Sequence, residues 1–247
     1  MRMRWHGHSC FEFEDSSLKV VVDPHDGRSL GIRPPAASAD VVLMTHDHYD
    51  HRAARVISGN HEDVMARCGD FEVKGLAVKG FRTFHDGSQG SERGLNTMYR
   101  FVMDGISVCH CGDLGCIPDP DVISEIKGVD ILLVPTGETY TMEIPEVRRF
   151  IELVNPNIIV PMHYRVGGLS LPISSIDRFL EIIPKEYVDY IGNEIDVTPD
   201  DLTEIKECWV FERRRHRSAG EWFVKRSEED QPVLYLSELD GGGGIAY

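Results

Sequence analysis

Val41-Val42-Leu43-Met44-Thr45 runs straight into His46-Asp47-His48-Tyr49-Asp50-His51, and no other feature restricts the fold of this chain as much. A continuous apolar run of that length reads as a strand buried on both faces. The three histidines and two aspartates behind it then stand at the end of a rigid element. Neutral imidazoles and carboxylates are the groups that zinc and similar divalent cations take as ligands. The segment holds more of them than one tetrahedral ion uses, so its density argues for two ions. A solvated polar loop would account for a single histidine there, but not for this cluster.

The rest of the chain supplies strands and then helices. Cys10 to Glu14 alternates, Asp15-Ser16-Ser17 turns, and Val20-Val21-Val22-Asp23 leads into Pro24. Further strands are expected over 71–73, 76–84, 98–103 and 106–111. Short buried strands at 131–134 and 158–160 each end in proline. Between them Ile144, Val147, Ile151 and Val154 recur at helical spacing, with Thr141 as the expected cap and Pro145 in the first turn. A second helix is expected from Ser174 or Ser175 through Ile176, Phe179, Leu180 and Ile183, stopped by Pro184. This order predicts sheets covered by helices in one layered domain over residues 1–211. Residues 212–247 read as an extension, with a basic run over 213–217, a hairpin pairing 221–224 with 233–236, and a glycine-rich tail.

Composition narrows the function classes. The 247 residues carry 26 basic and 41 acidic side chains, a net charge of -15, which repels nucleic acids and anionic membranes on average. Nucleic-acid binding is therefore disfavoured without a local basic patch. The chain has no apolar run long enough to span a bilayer, and Met1 to His8 has a basic start with no apolar core behind it. A cytoplasmic protein is expected. The six cysteines form no Cys-x-x-Cys pair and read as free thiols.

His-x-His-x-Asp-His after an apolar strand resembles the metal-binding signature of the metallo-β-lactamase superfamily. The family's other motifs appear in order: Asp23 ending an early strand, His85 in Phe84-His85-Asp86, Gly112-Asp113 after a strand, and His163 in Val160-Pro161-Met162-His163-Tyr164. Gly7-His8-Ser9, Asp23-Pro24, Tyr140-Thr141-Met142 and Pro161-Met162-His163-Tyr164 are similar to the ascorbate-6-phosphate-lactonase-like branch of small hydrolases. The resemblance implies an α/β fold, a four-layer αββα sandwich with its metal site at one edge. It further implies that His46, His48 and His85 hold one ion, that Asp50, His51 and His163 hold the other, and that Asp113 bridges them. Asp23 would orient a ligand imidazole through its free N–H. His8 would lie close to the metals or serve as a hydrogen-bonded structural residue. Two divalent ions are expected, zinc by default, with manganese and iron as alternatives. They would share a hydroxide that attacks a carbonyl or phosphoryl centre, with Asp113 and Asp50 as the catalytic carboxylates. Leaving-group protonation by Asp50 or by water stays open. Diiron electron-transfer members carry Glu where this chain has His48, so hydrolysis is implied over oxygen or nitric oxide reduction.

Around this set, Tyr140, Tyr164 and Arg165 are expected to rim the site as substrate contacts, Arg165 facing a carboxylate, a phosphate or a neighbouring acid. His25 departs from the aromatic or aliphatic residue of the related proteins, and would be polar at the mouth or merely exposed. His110 reads as core or as a support behind the metal ligands, His61 and His216 as surface. Residues 86–94 read as a glycine-rich connection, or else a mobile flap with anion-binding amides. The reaction expected is hydrolysis of an ester, lactone or related bond in a small, phosphorylated or acidic metabolite. The alternatives are a phosphodiesterase or nuclease, and a non-catalytic metal-stabilised metabolite-binding protein. The sequence leaves a monomer and a homo-oligomer both open.

Overall fold

The computed structural model describes residues 1–202 and 206–212. The chain lays down β1 (Arg2–Gly7), β2 (Cys10–Glu14), β3 (Lys19–Val22), β4 (Val41–Met44) and β5 (Glu62–Met65) in one sheet. It then crosses to a second sheet with β6 (Gly69–Val73), β7 (Leu76–Phe84), β8 (Leu95–Met103) and β9 (Ile106–His110). Helix and strand alternate next: α1 (Pro120–Ile126), β10 (Ile131–Pro135), α2 (Ile144–Val154) and β11 (Ile158–Met162). The described elements close with α3 (Asp177–Leu180), β12 (Val188–Ile191), β13 (Glu194–Asp196) and β14 (Glu207–Phe211). Spatial order is β13-β1-β2-β3-β4-β5 in the first sheet and β12-β14-β11-β10-β9-β8-β7-β6 in the second. Both sheets are mixed, the α/β sandwich expected of the chain.

Local chemistry accounts for the connections. The β6–β7 turn places Lys74 and Gly75 at φ 47° and 84°, and the β8–β9 turn places Asp104 and Gly105 at 49° and 77°. Two consecutive positive φ values are what a two-residue hairpin loop needs. The parallel strands β9, β10 and β11 instead need crossovers, which α1 and α2 provide. Glu143, not Thr141, caps α2 through a reciprocal pair with Glu146, while the Thr141 hydroxyl donates to the Glu138 carbonyl. Asn155, at φ 55°, ends that helix in the left-handed conformation. The expected second helix shrinks to the four residues of α3. Ser174 and Ser175 cannot join it, because Ser174 donates its N–H to the Gly137 carbonyl and Ser175 bridges to Arg165.

Side-chain alternation explains why β4 is buried throughout. Val41 and Leu43 join Val20 and Val22 in the main core, whereas Val42 and Met44 face the other way with Val21, under Ala39, Ala54 and Ile57. Inter-sheet aromatic pairs tie the layers, Phe13 edge-on to Phe101 at 5.2 Å and Phe11 edge-on to Phe211 at 5.6 Å. Cys10, Cys109, Cys111 and Cys208 are buried free thiols. No described helix is long and apolar enough to cross a membrane. The expected hairpin, the 213–217 basic run and His216 lie outside the described residues.

This topology collects the polar motifs at one edge. The β1–β2 turn, the ends of β3 and β4, and the ends of β7, β9, β10 and β11 carry His8, Asp23, the His46 to His51 segment, His85, Asp113, the 136–141 loop and His163 in turn. Ligand sites favour such carboxyl ends, where rigid strands fix the loops that leave them.

Candidate metal centre

Asp23 organises the first half of the site. Fully buried at φ 50°, its carboxylate accepts the Thr45 N–H at 2.8 Å, the Thr45 hydroxyl at 2.8 Å and the His51 Nδ1–H at 2.9 Å. The Thr45 hydroxyl has one hydrogen and gives it to Asp23, so at 2.9 Å it must accept the Nδ1–H of His46. His85 donates its Nδ1–H to the Tyr140 carbonyl at 3.0 Å. In all three imidazoles the Nδ1 proton is thus held from behind, and the Nε2 lone pair faces the cluster. This is the back-side support that metal-bound histidine needs.

Asp113 occupies the middle. Its Oδ2 lies 3.2 Å from Nε2 of His51, His85 and His163 alike, and 3.8 Å from Nε2 of His46. The Asn96 side chain sets that position. Asn96 Oδ1 accepts the Asp113 N–H at 3.0 Å, while Nδ2 donates to Thr83 Oγ1 and the Cys111 carbonyl. Gly112, at φ 56°, is required here. A Cβ on it would lie 2.3 Å from Asn96 Oδ1 and 2.7 Å from Thr45 Oγ1.

The donor atoms fall into overlapping groups, each within 4.8 Å: His46, His48 and His85; His8, Asp50, His51 and His163; and His46, His51 and Asp113. The third group joins the other two. His8 enters the second through Asp50, its Nε2 lying 3.0 Å from Asp50 Oδ2, with its ring 4.3 Å from that of His163. His48 is only half-buried, its ring 4.6 Å from His46 and 4.9 Å from His85.

Electrostatics and valence agree with a cation-binding set. Burial opposes ionisation of Asp113, but the His163 and His51 imidazoles outweigh it and hold the carboxyl well below its usual range. Burial likewise disfavours a charged His51, yet Asp113, Asp50 and Asp23 raise its pKa well above the ordinary value. His46 is driven down to about 3 by burial and by His51, and His8 to about 3 by burial and by His163. Nε2 of His46 and His51 and Oδ1 of Asp113 are buried without a hydrogen-bond partner. Each such atom costs about 1–3 kcal/mol. Imidazole and carboxylate lone pairs facing one point fit a divalent cation, which would satisfy them together.

Several expectations need correction. Tyr164 does not rim the site; it is buried, stacked on Trp5 at 5.6 Å, with its hydroxyl donating to the Phe211 carbonyl at 3.0 Å. Its side chain turns into the core as His163, at φ 53°, reverses the backbone. His25 is fully buried rather than at the mouth, its Nε2 3.3 Å from the His6 carbonyl. His61 is half-buried against the Ile57 carbonyl, not simply surface. Residues 86–94 offer few amides to an anion, because Asp86 already accepts the N–H groups of Ser88, Gly90, Glu92 and Arg93. Tyr140 supports His85 through its carbonyl, and its ring lies under the Arg93 guanidinium at 5.3 Å. Arg165 is exposed. His110 is core, with Nε2–H on the Ser9 carbonyl and Nδ1 accepting the Gly112 N–H. The positioning roles of Asn96 and Thr45 were not expected. Asn96 lies ahead of the strand expected over 98–103 and next to the polar Thr97, so it carries no sequence signal of its own.

Comparison with known proteins agrees with this architecture. A family model described as a β-lactamase superfamily domain matches residues 2–163. A metal-dependent hydrolase from Thermoplasma acidophilum is 30% identical over 193 residues, covering 68% of this chain and 85% of that protein. Another from Methanopyrus kandleri is 30% identical over 229 residues, covering 80% and 95%. A Thermotoga maritima structure, described as a Zn-dependent hydrolase of the metallo-β-lactamase superfamily, is 32% identical with a TM-score of 0.70, covering 85% of this chain and 97% of that one. The chain belongs to the metallo-β-lactamase superfamily, where it stands with the metal-dependent hydrolases.

Proposed function

We propose that this protein is a binuclear metal-dependent hydrolase that cleaves an ester, lactone or related bond of a small molecule in the cytoplasm. The observation that carries the reading is the convergence of four Nε2 atoms from three strand ends on the Asp113 carboxylate. In this reading His46, His48 and His85 would hold one ion and Asp50, His51 and His163 the second, with Asp113 as a ligand available to either. Zinc suits the mixed imidazole and carboxylate set, and manganese or iron is compatible with it. When bound, such ions make a water acidic enough to supply hydroxide near neutral pH and neutralise charge on the attacked oxygen.

The protein groups divide the remaining work. Asp23 and Thr45 fix His46 and His51 in the tautomer that leaves Nε2 free. Asn96 holds Asp113 between the two sets. His8 engages Oδ2 of Asp50 and so orients this ligand carboxylate, and Asp50 or water would protonate the leaving group. The metal-loaded chain should hydrolyse members of a panel of neutral esters, lactones and phosphodiesters, with activity lost on chelation and restored by zinc or manganese. Absence of turnover across the panel with both sites loaded would contradict the reading.

A further inference from the structure

Two loops that support the metal cluster also wall a separate cavity. It measures about 400 Å³ and is lined by Arg165, Arg178, Thr139, Ser174, Ser175 and Ile173 among others. Its walls are continuous with the site. Arg165 comes two residues after His163 and donates its N–H to the Ser174 carbonyl at 2.8 Å, and Ser174 donates to Gly137 at 2.8 Å. A Cβ on Gly137 would lie 2.0 Å from the His163 carbonyl oxygen, so these strands touch. Thr139 precedes Tyr140, whose carbonyl holds His85. Glu138 and Thr139 both adopt positive φ, 54° and 50°, a costly conformation for non-glycine residues that recurs at functional loops.

The charges in the cavity are unbalanced. Among the described residues, the Arg165 guanidinium has neither an ion pair nor a hydrogen bond. Arg178 Nε pairs with Glu138 Oε2 at 3.3 Å, which leaves its terminal N–H groups available on a side chain 62% exposed. Arg165 and Arg178 are the charged side chains of the lining, while the carboxylates around them, Glu138 on Arg178 and Glu143 next to Glu138, are not part of it. Ser174 donates to Glu138, Ser175 to Asp177 and Thr139 to the Pro172 carbonyl, so the guanidinium N–H groups are the donors that the lining has left for an anion. Paired guanidinium forks match the geometry of a carboxylate or phosphate, and this excess stands on a chain of net charge -15.

We propose that the Arg165–Arg178 cavity is the subsite that receives an anionic oxygen group of the substrate, a carboxylate or a phosphate, while the bond to be cleaved lies at the His/Asp cluster. The proposal rests on the hydrolase reading for its second half only. The anion site itself is a property of the cavity.

Calorimetric titration of the zinc-loaded full chain with inorganic phosphate, and separately with acetate, tests the first half. Saturable binding of one or both is expected, weakened by about tenfold in Arg165→Gln and by less in Arg178→Gln. Arg165→Lys, which keeps the charge but not the fork, should fall between. Tighter phosphate binding assigns a phosphate, and tighter acetate binding a carboxylate. Binding to the metals would be common to wild type and variants, so anion affinity indifferent to both substitutions overturns the proposal, as does no binding at all. Both side chains are exposed enough that an unchanged melting temperature should verify folding. A kinetic arm compares an acidic ester with its neutral analogue. The preference for the acidic substrate should drop about tenfold in Arg165→Gln, through KM. If neither ester is hydrolysed, the hydrolase reading fails while the anion titration still stands or falls by itself.

Discussion

Residues 45–51 and 86–94 are both polar loops that leave a strand of the same sandwich edge, and both carry ligand-type side chains. They differ in what their polar atoms are left with. In 86–94, the Asp86 carboxylate is committed to four backbone N–H groups of its own loop, at 2.8 to 3.1 Å. In 45–51, the Thr45 hydroxyl and the Asp23 carboxylate engage only the Nδ1 side of His46 and His51, and Nε2 of each ends buried without a hydrogen-bond partner. A buried polar atom without a partner is costly. A loop that retains two, both facing one carboxylate, is built for a ligand; a loop that satisfies itself is built to hold its shape.

The contrast breaks most decisively at Asp113. Asp113→Ala should lower zinc affinity and hydrolysis by about a hundredfold or more while the sandwich folds, because the carboxylate that lies against histidines of both donor groups is gone. Equilibrium metal titration and turnover check it. Asp23→Asn touches no donor atom of the cluster, yet should cost about 10–100-fold in metal affinity by loosening His46 and His51. If its affinity matches wild type, the back-side support is idle.

Protons compete for the same atoms. The three carboxylates raise the pKa of His51 against its burial, so the metal-free chain carries a proton there that a cation must displace. Apparent zinc affinity should therefore rise by about tenfold per pH unit per proton displaced until His51 is neutral. A flat pH dependence would contradict the charge assignment.

The smallest effect belongs to the self-satisfied loop. Asp86→Asn should lower the melting temperature by about 2–4 °C, with metal content unaltered. Burial opposes ionisation of Asp86, but the amides of Arg93, Gly90, Ser88 and Glu92 bring its pKa down to about 2. A depressed carboxylate stabilises the fold above its unfolded pKa, and that stability is lost as pH falls through the folded value. The gap between wild type and Asp86→Asn should thus close as pH drops from about 5 towards about 2.

Much of this was legible because burial and valence leave marks in sequence. Val41 to Met44 is apolar on both faces, and the metal-ligating residue types sit directly behind strands that read clearly as strands. Less legible was anything set by the backbone. Tyr164 is next to His163 in sequence, but a positive φ at His163 sends its ring to Trp5 rather than to the rim. Asn96 precedes the strand expected from sequence, and only the fold brings its amide under Asp113. The short strands β12, β13 and β14 gave no periodic signal of their own. α3 lost its first turn to a bridge between Ser175 and Arg165, a contact no local pattern encodes.

The central claim is that the Nε2 atoms and the Asp113 carboxylate form a paired cation site. Elemental analysis of the purified full chain after zinc loading and removal of free metal tests it most directly. The account predicts close to two ions per wild-type chain, falling on Asp113→Ala. A loaded wild-type chain that retains no metal, or an Asp113→Ala chain that retains as much as wild type, would contradict it.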